Sequence, residues 1–165
     1  MNTVLMAVTS HEQRQDLSEL ASIIWNEYYS QLLSQQQIDY MLERFQSVTA
    51  IQEQMEQGYQ YFFIVCNGYV AGYTAVKQED DTLFLSKLYV IKESRGQGCG
   101  KAALQLIANI ATERKLRSIW LTVNRDNASS IAVYERSGFS IIDEQVTDIG
   151  SGYVMDDFIM ERRLS

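Results

Sequence analysis

The sequence predicts an α/β protein with a mixed central sheet: antiparallel strands in the N-terminal half, a β-α-β-α core and two closing strands. Three observations lead there. Apolar residues recur at helical spacing between Leu17 and Phe45. From Tyr59 onward, three apolar or alternating runs are separated by turn signals. After Ser94, glycine- and asparagine-opened helical segments alternate with apolar runs of strand length.

TVLMAV (Thr3–Val8) reads as a first strand. Leu17, Leu20, Ala21, Ile24 and Tyr28 then lie on one face of an amphipathic helix. SQQQ (Ser34–Gln37) has the form of a capping box and opens a second helix carrying Ile38, Met41, Leu42 and Phe45. TAIQ (Thr49–Gln52) repeats the signature for a shorter helix ending near Gly58. YQYFFIVC leads into Asn67–Gly68, a strong hairpin signal, then YVAGYTAVKQ, an EDD turn and TLFLSKLYVI: three sequential antiparallel strands. The helix after the glycine loop shows Ala103, Leu106, Ile107 and Ile110 on one face. Ser118–Val123 is a buried strand. NASSIAVYERSGF is a short helix that Asn127 opens and Gly138 ends. FSIIDEQV and YVMDDFIMER close the chain around TDIGSG. No repeat or linker interrupts this order, so residues 1–165 are read as one domain.

Composition narrows the function classes. The chain has 14 basic and 21 acidic residues, a net charge of −7, which weighs against nucleic-acid binding and suits a cationic substrate. Cys66 and Cys99 are far apart in sequence and in no metal-ligand spacing; they read as thiols of a reducing compartment. With His11 the only histidine, histidine triads and His-rich metal sites are set aside, and no metal is expected. The N-terminal MNTVLMAV lacks a basic n-region and no segment is long enough to span a membrane, so a cytoplasmic protein is expected.

The chemistry-bearing stretch is SRGQGCGK, Ser94 to Lys101, directly before an apolar helix. Alternating glycines let backbone amides approach a ligand, and the helix start adds unpaired N–H groups and a partial positive charge. Such a loop suits phosphate. A nucleoside-triphosphate loop fails twice: Ala102 follows Gly100–Lys101 where Ser or Thr is needed, and Arg95 replaces the first glycine. GCGKAA (Gly98–Ala103) fits G-x-G-x-x-A, the dinucleotide fingerprint, but about half a dozen residues separate it from its strand and a single βαβ unit is visible.

The third pattern, R-x-x-G-x-G in RGQGCG (Arg95–Gly100), resembles the pyrophosphate loop of the GNAT superfamily, the acyl-CoA-dependent N-acyltransferases. NASSIAVYERSGF is similar to that family's N-x-x-[AS]-x-x-x-Y-x-x-x-G-F segment, and the strand KLYVI and the element order fit as well. The resemblance covers essentially the whole chain and implies acetyl-CoA as cosubstrate. It implies that Leu88, Tyr89 and Val90 pair with the pantetheine arm, the amide near Val90 stabilising oxyanion charge. Arg95, Gly96, Gln97, Gly98, Cys99, Gly100 and Lys101 would wrap the pyrophosphate. Asn127 would cap its helix and reach the pantetheine amides, Ser129 would touch the cofactor, and Arg136 would meet the adenosine 3′-phosphate. Tyr134 would protonate the departing thiolate as general acid, with a phenol near its ordinary pKa of about 10. Without the motif, Tyr134 would read as a core aromatic spaced with Ile131. Cys99 looks thiol-reactive at a helix N-terminus, although its backbone N–H is the expected contribution.

The base that deprotonates the amine is left open. Many relatives carry a Glu on the strand before the loop; here Ser86 and Lys87 occupy that region, leaving Glu27, Asp156, Asp157 or water. Tyr28, Tyr29, Tyr40 and Tyr153 are expected to line the acceptor pocket, an aromatic and acidic wall suited to a small cationic amine. The layout resembles small bacterial polyamine acetyltransferases; peptide and protein amines are the alternative, as is an acyl-CoA sensor without turnover, and a homodimer is expected from such relatives.

Overall fold

The computed structural model describes residues 2–164. Strand β1 (Thr3–Ala7) leads to helices α1 (His11–Tyr28), α2 (Gln35–Gln46) and α3 (Val48–Glu56). Strands β2 (Tyr59–Cys66), β3 (Tyr69–Glu79) and β4 (Thr82–Val90) follow, then α4 (Cys99–Glu113), β5 (Ser118–Asn124), α5 (Ala128–Arg136), β6 (Ser140–Gly150) and β7 (Tyr153–Arg163). One seven-stranded sheet has the order β1-β2-β3-β4-β5-β7-β6. Its neighbours pair antiparallel except β4 and β5, so the sheet is mixed as the sequence predicts.

Local chemistry explains most boundaries. Asn67 and Gly68 (φ 53° and 84°) make the tight turn between β2 and β3, and Ser151 and Gly152 (φ 54° and 80°) do the same between β6 and β7. The caps differ from expectation. Ser34 caps α2 through the Gln37 amide, but the Gln37 side chain donates to the Val154 carbonyl instead of reaching back. Helix α3 is capped by Ser47, two residues before the expected Thr49, because Ser47 already supplies the hydroxyl that the Ala50 amide needs. The full capping box is at Ser10 and Gln13, at the head of α1.

Helices α1–α3 cover one face of the sheet, where Leu17, Ile24, Ile38, Met41 and Ile51 pack on Tyr61, Phe63, Tyr73 and Ala75. Helix α4 covers the other face, burying Ala103, Leu104, Ile107, Ala108 and Ala111. Ala103 and Ile107 lie on that face as expected, whereas Leu106 and Ile110, expected with them, are half-buried and Leu104 and Ala108 are buried in their place. A buried polar network ties α1–α3 to the sheet. Trp25 Nε1 donates to Tyr73 OH (2.8 Å), Tyr73 OH donates to Gln46 Oε1 (2.6 Å), and Gln46 Nε2 donates to Tyr61 OH (3.0 Å). Each link satisfies a polar atom that would otherwise be stranded in the core.

Two features of β4 shape everything downstream. Its register with β3 runs from Val76↔Leu85 to Ala75↔Lys87, so Ser86 is an unpaired bulge residue. Before the bulge, Leu83 and Leu85 face α4; after it, Lys87 and Tyr89 face α1–α3 while Leu88 and Val90 face α4. Pairing with β5 ends at Phe84↔Trp120, and the two strands part beyond that point. On the other side β3 presses close: a Cβ on Gly72 would stand 2.0 Å from the Tyr89 carbonyl oxygen and 2.9 Å from Val90 Cα. Gly72→Ala must therefore displace backbone, and we expect a loss of about 1–3 kcal/mol of stability. Gly100→Ala, whose new methyl would meet Val90 Cγ2 at 3.7 Å, is expected to change stability by less than about 1 kcal/mol. Denaturant melts of the two variants check both.

Candidate active site

The parting of β4 from β5 leaves one edge of β4 open. Ile91 N donates to Ala71 O (2.7 Å) and Tyr89 lies opposite Tyr73, so the backbone groups of Tyr89 and Ile91 point to β3. Antiparallel alternation turns those of Leu88 and Val90 to the open side. Tyr89, expected to offer its backbone there, contributes its side chain instead: its hydroxyl meets Tyr29 OH at 2.7 Å.

After Val90 the chain makes a 3₁₀ turn (Lys92–Ser94) and enters the glycine loop. Gly96 and Gly98 have φ of 77° and 86°, and Gly98 is the N-cap of α4 with no side-chain cap. The first intrahelical bond of this turn is Ala102 N to Gly98 O (3.0 Å). The amides of Gly100 and Lys101 therefore lack an acceptor within the helix, which suits an anion at this end. Lys101 is exposed beside them. Arg95 is turned back on the protein: its Nε donates to Val90 O (3.0 Å) and its guanidinium lies 5.4 Å from the Tyr28 ring centroid. Gln97 Nε2 donates to Glu93 O, which shapes the loop from outside (3.1 Å). Cys99 contradicts the reactive reading. It is buried against Ile64, Cys66, Ala71 and Ala103, and burial together with Cys66 pushes its thiol up to about 11. The helix dipole does not overcome that desolvation.

On α5, Asn127 Oδ1 accepts from Ser130 N (3.2 Å), which is the expected cap. Its Nδ2 donates to Tyr28 OH (2.8 Å), and Tyr28 OH also meets Ser130 Oγ. Tyr28 of α1 thereby touches both Arg95 and Asn127. Ser129 and Arg136 are exposed on the same helix.

A cavity of about 770 Å³ opens where β4 leaves β5, under α1–α3. Tyr28, Tyr29, Tyr89, Tyr134, Asp157 and Lys87 are among its lining residues. Tyr40 and Tyr153, expected in this wall, pack on each other as a tilted pair at 5.3 Å outside it. Tyr134 packs edge-to-face on Phe139 (5.7 Å), and burial raises its phenol well above the usual range, so it stays protonated at neutral pH. The ordinary phenol pKa expected from sequence is corrected accordingly.

Of the acids considered as bases, Glu27 is exposed and Asp156 pairs with Arg125 on the surface (3.1 Å). Asp157 is buried, lines the cavity, and accepts no hydrogen bond or ion pair among the described residues. Burial, with Asp156 adding like charge, pushes its carboxyl up to about 6. Lys87, which sequence reasoning noted as an absence of carboxylate, also lines the cavity. Its Nζ donates to Ser86 Oγ (2.8 Å), and burial lowers its ammonium to about 8.

Residues 16–139 match the Acetyltransferase (GNAT) family. The chain belongs to that family. It is 28% identical over 99 residues to an uncharacterized N-acetyltransferase of Mycobacterium bovis, covering 59% of this chain and 63% of that protein. It is 31% identical over 86 residues to the ribosomal protein bS18 alanine N-acetyltransferase of Escherichia coli, covering 51% of this chain and 58% of that one. The matched stretch thus spans less than two thirds of either relative. In fold it is similar to PaiA N-acetyltransferase of Thermoplasma acidophilum, solved with coenzyme A: TM-score 0.81, 22% identity, 99% of this chain and 100% of the other. GNAT acetyltransferases use acetyl-CoA, and the open edge of β4 followed by a glycine-capped helix fits that cosubstrate. Among the described residues no helix is long and apolar enough to cross a membrane.

A buried carboxylate with a raised pKa costs stability. Between about pH 4 and pH 6 the folded state holds a proton that the unfolded state has released, so stability falls as pH rises through that window. Asp157→Asn is expected to stabilise the fold by about 1–3 kcal/mol at pH 7, with the gain vanishing near pH 3. Thermal melts of both proteins across pH check the sign.

Proposed function

We propose that this chain is an N-acetyltransferase that carries an acetyl group from acetyl-CoA to the primary amine of a small molecule, its residues acting as one catalytic domain in the cytoplasm. The observation that carries this reading is a single cavity, at the open edge of β4, that holds a protonated buried phenol and a buried carboxylate without a partner among the described residues. Acetyl-CoA supplies the acetyl group already activated as a thioester. The chain's own residues do the rest. Gly96, Gln97, Gly98, Cys99, Gly100 and Lys101 would hold the pyrophosphate by loop and helix amides, with Arg95 released from Val90 O to join them. Leu88 and Val90 offer backbone to the pantetheine arm, Asn127 and Ser129 flank it, and Arg136 is the exposed cation for the 3′-phosphate. The Val90 N–H, turned to the open edge, would hold negative charge as it develops on the carbonyl oxygen.

Asp157 would take the proton from the incoming ammonium. At pH 7 a carboxyl near 6 is mostly ionised, and it is a stronger base than an exposed aspartate. Tyr134 would give a proton to the sulfur. The burial that raises its phenol would also raise the pKa of a thiol beside it, which makes the departing thiolate a better proton acceptor.

Tyr28, Tyr29, Tyr59 and Trp120 line the cavity, with Glu53 and Asp148 exposed at its rim, and this wall supports a polyamine or similar cation as the acceptor. A protein α-amine is the second reading, drawn from the activity named for the Escherichia coli relative. Pairing into a homodimer is open to sedimentation.

Thiol release from acetyl-CoA, measured against polyamines, short peptides and a lysine-rich peptide, tests the reading. Tyr134→Phe is expected to lower kcat by about 100-fold or more while acetyl-CoA binds as tightly as before. Tight donor binding with no turnover of any amine would favour a sensor, and no donor binding would end the acetyltransferase reading.

A further inference from the structure

Five charged side chains line the cavity: Arg44, Glu53, Lys87, Asp148 and Asp157. Arg44, Glu53 and Asp148 are exposed at the rim, while Lys87 is half-buried and Asp157 buried in the wall. These two interior charges are opposite in sign, yet among the described residues neither belongs to an ion pair. Lys87 has one hydrogen bond, to the neutral Ser86 hydroxyl. Burying an ammonium and a carboxylate separately, in one cavity, is costly unless something else neutralises them.

Topology keeps them apart. Lys87 is on β4 and Asp157 on β7, with β5 between. Two strand spacings amount to about 10 Å between backbones, and β4 diverges further here. Asp157 affects Tyr29 electrostatically, whereas the shift at Lys87 comes from burial without a charged neighbour. The cavity is therefore bipolar: an acid near the phenols and an ammonium along the wall of β4.

We propose that the acceptor is an amino carboxylate, its amine directed to Asp157 and its carboxylate received by Lys87. This rests on the acetyltransferase reading and sets an amino carboxylate in place of the polyamine as its small-molecule acceptor. A diamine would set its second cation against Lys87, with Ser86 and Lys87 offering it no acceptor beyond one hydroxyl. A carboxylate there completes the ion pair that the fold leaves open. The Lys87 ammonium, still mostly protonated at pH 7, would be held more firmly in that form.

The test uses three acceptors of one length: 5-aminopentanoate, 5-aminopentanamide and 1,5-diaminopentane. Calorimetry first establishes that acetyl-CoA binds; its failure to bind overturns the acetyltransferase reading and this proposal with it. With the donor bound, kcat/KM for the acid is expected to exceed that for the amide and for the diamine by about tenfold or more. Lys87→Met should bring the three within about twofold, and Lys87→Arg should keep part of the preference. If none of the three turns over, the same ranking is read from their binding to the coenzyme A-loaded protein. Equal or better use of the diamine, or a preference that survives Lys87→Met, overturns the proposal and leaves acetyl transfer standing.

Discussion

The divergence of β4 from β5 is the constraint on which the rest of the structure depends. A parallel pair would run on with shared hydrogen bonds and a closed core. Here pairing stops at Phe84↔Trp120, and the Ser86 bulge bends β4 just past that point. The bulge does more than bend the strand. With side chains alternating at a period of two, one extra residue exchanges the two faces. It turns Lys87 and Tyr89 toward α1–α3 and leaves Leu88 and Val90 against α4. Gly72 holds the other side, because no larger residue lets β3 approach the Tyr89 carbonyl as it does. The open edge, the cavity and the direction of the glycine loop all follow from that local geometry.

Much of this fold was legible because its signals are local. Asn67–Gly68, Gly58 and Gly138 all hold positive φ where sequence reading placed turns and helix ends. Strand runs and helix faces follow from periodicity. The errors have physical sources too. TAIQ carries the capping-box pattern and SVTA does not, yet Ser47 is the cap, because α2 ends at Gln46 and Ser47 takes the extended backbone between the two helices. The buried stripe of α4 keeps Ala103 and Ile107 but takes Leu104, Ala108 and Ala111 in place of Leu106 and Ile110, because small alanines read as weak core signals in a sequence.

The site was legible in its loop and less so in its cavity. RGQGCG announces itself by glycine spacing, and Gly96 and Gly98 take the backbone conformation that spacing implies. Lys87 and Asp157 carry no such signal. Each sits in an ordinary strand, and what distinguishes it is the face it is turned to and the partners withheld from it. A bulge residue such as Ser86 leaves little trace in composition, so Lys87 reads as a missing carboxylate until the register is known. Tyr40 and Tyr153 show the reverse case: aromatic residues of the right elements that pack on each other instead of lining the cavity.

The helical layer supplies the rigidity that those interior charges require. Trp25, Gln46, Tyr61 and Tyr73 form a chain of buried hydrogen bonds from α1 and α2 to β2 and β3. Tyr28, the last residue of α1, and Tyr29, its C-cap, extend into the cavity, where Tyr29 meets Tyr89 and Tyr28 meets Asn127. A desolvated carboxylate relaxes whenever water or a mobile side chain can reach it, and its pKa then returns to the ordinary range. Burial and the neighbouring Asp156 raise the Asp157 carboxyl, and the satisfied polar chain lies in the core beside that wall. Tyr28 also touches Arg95 of the glycine loop and Asn127 at the head of α5. Tyr28 thus joins the glycine loop, the head of α5 and the cavity wall through a single side chain.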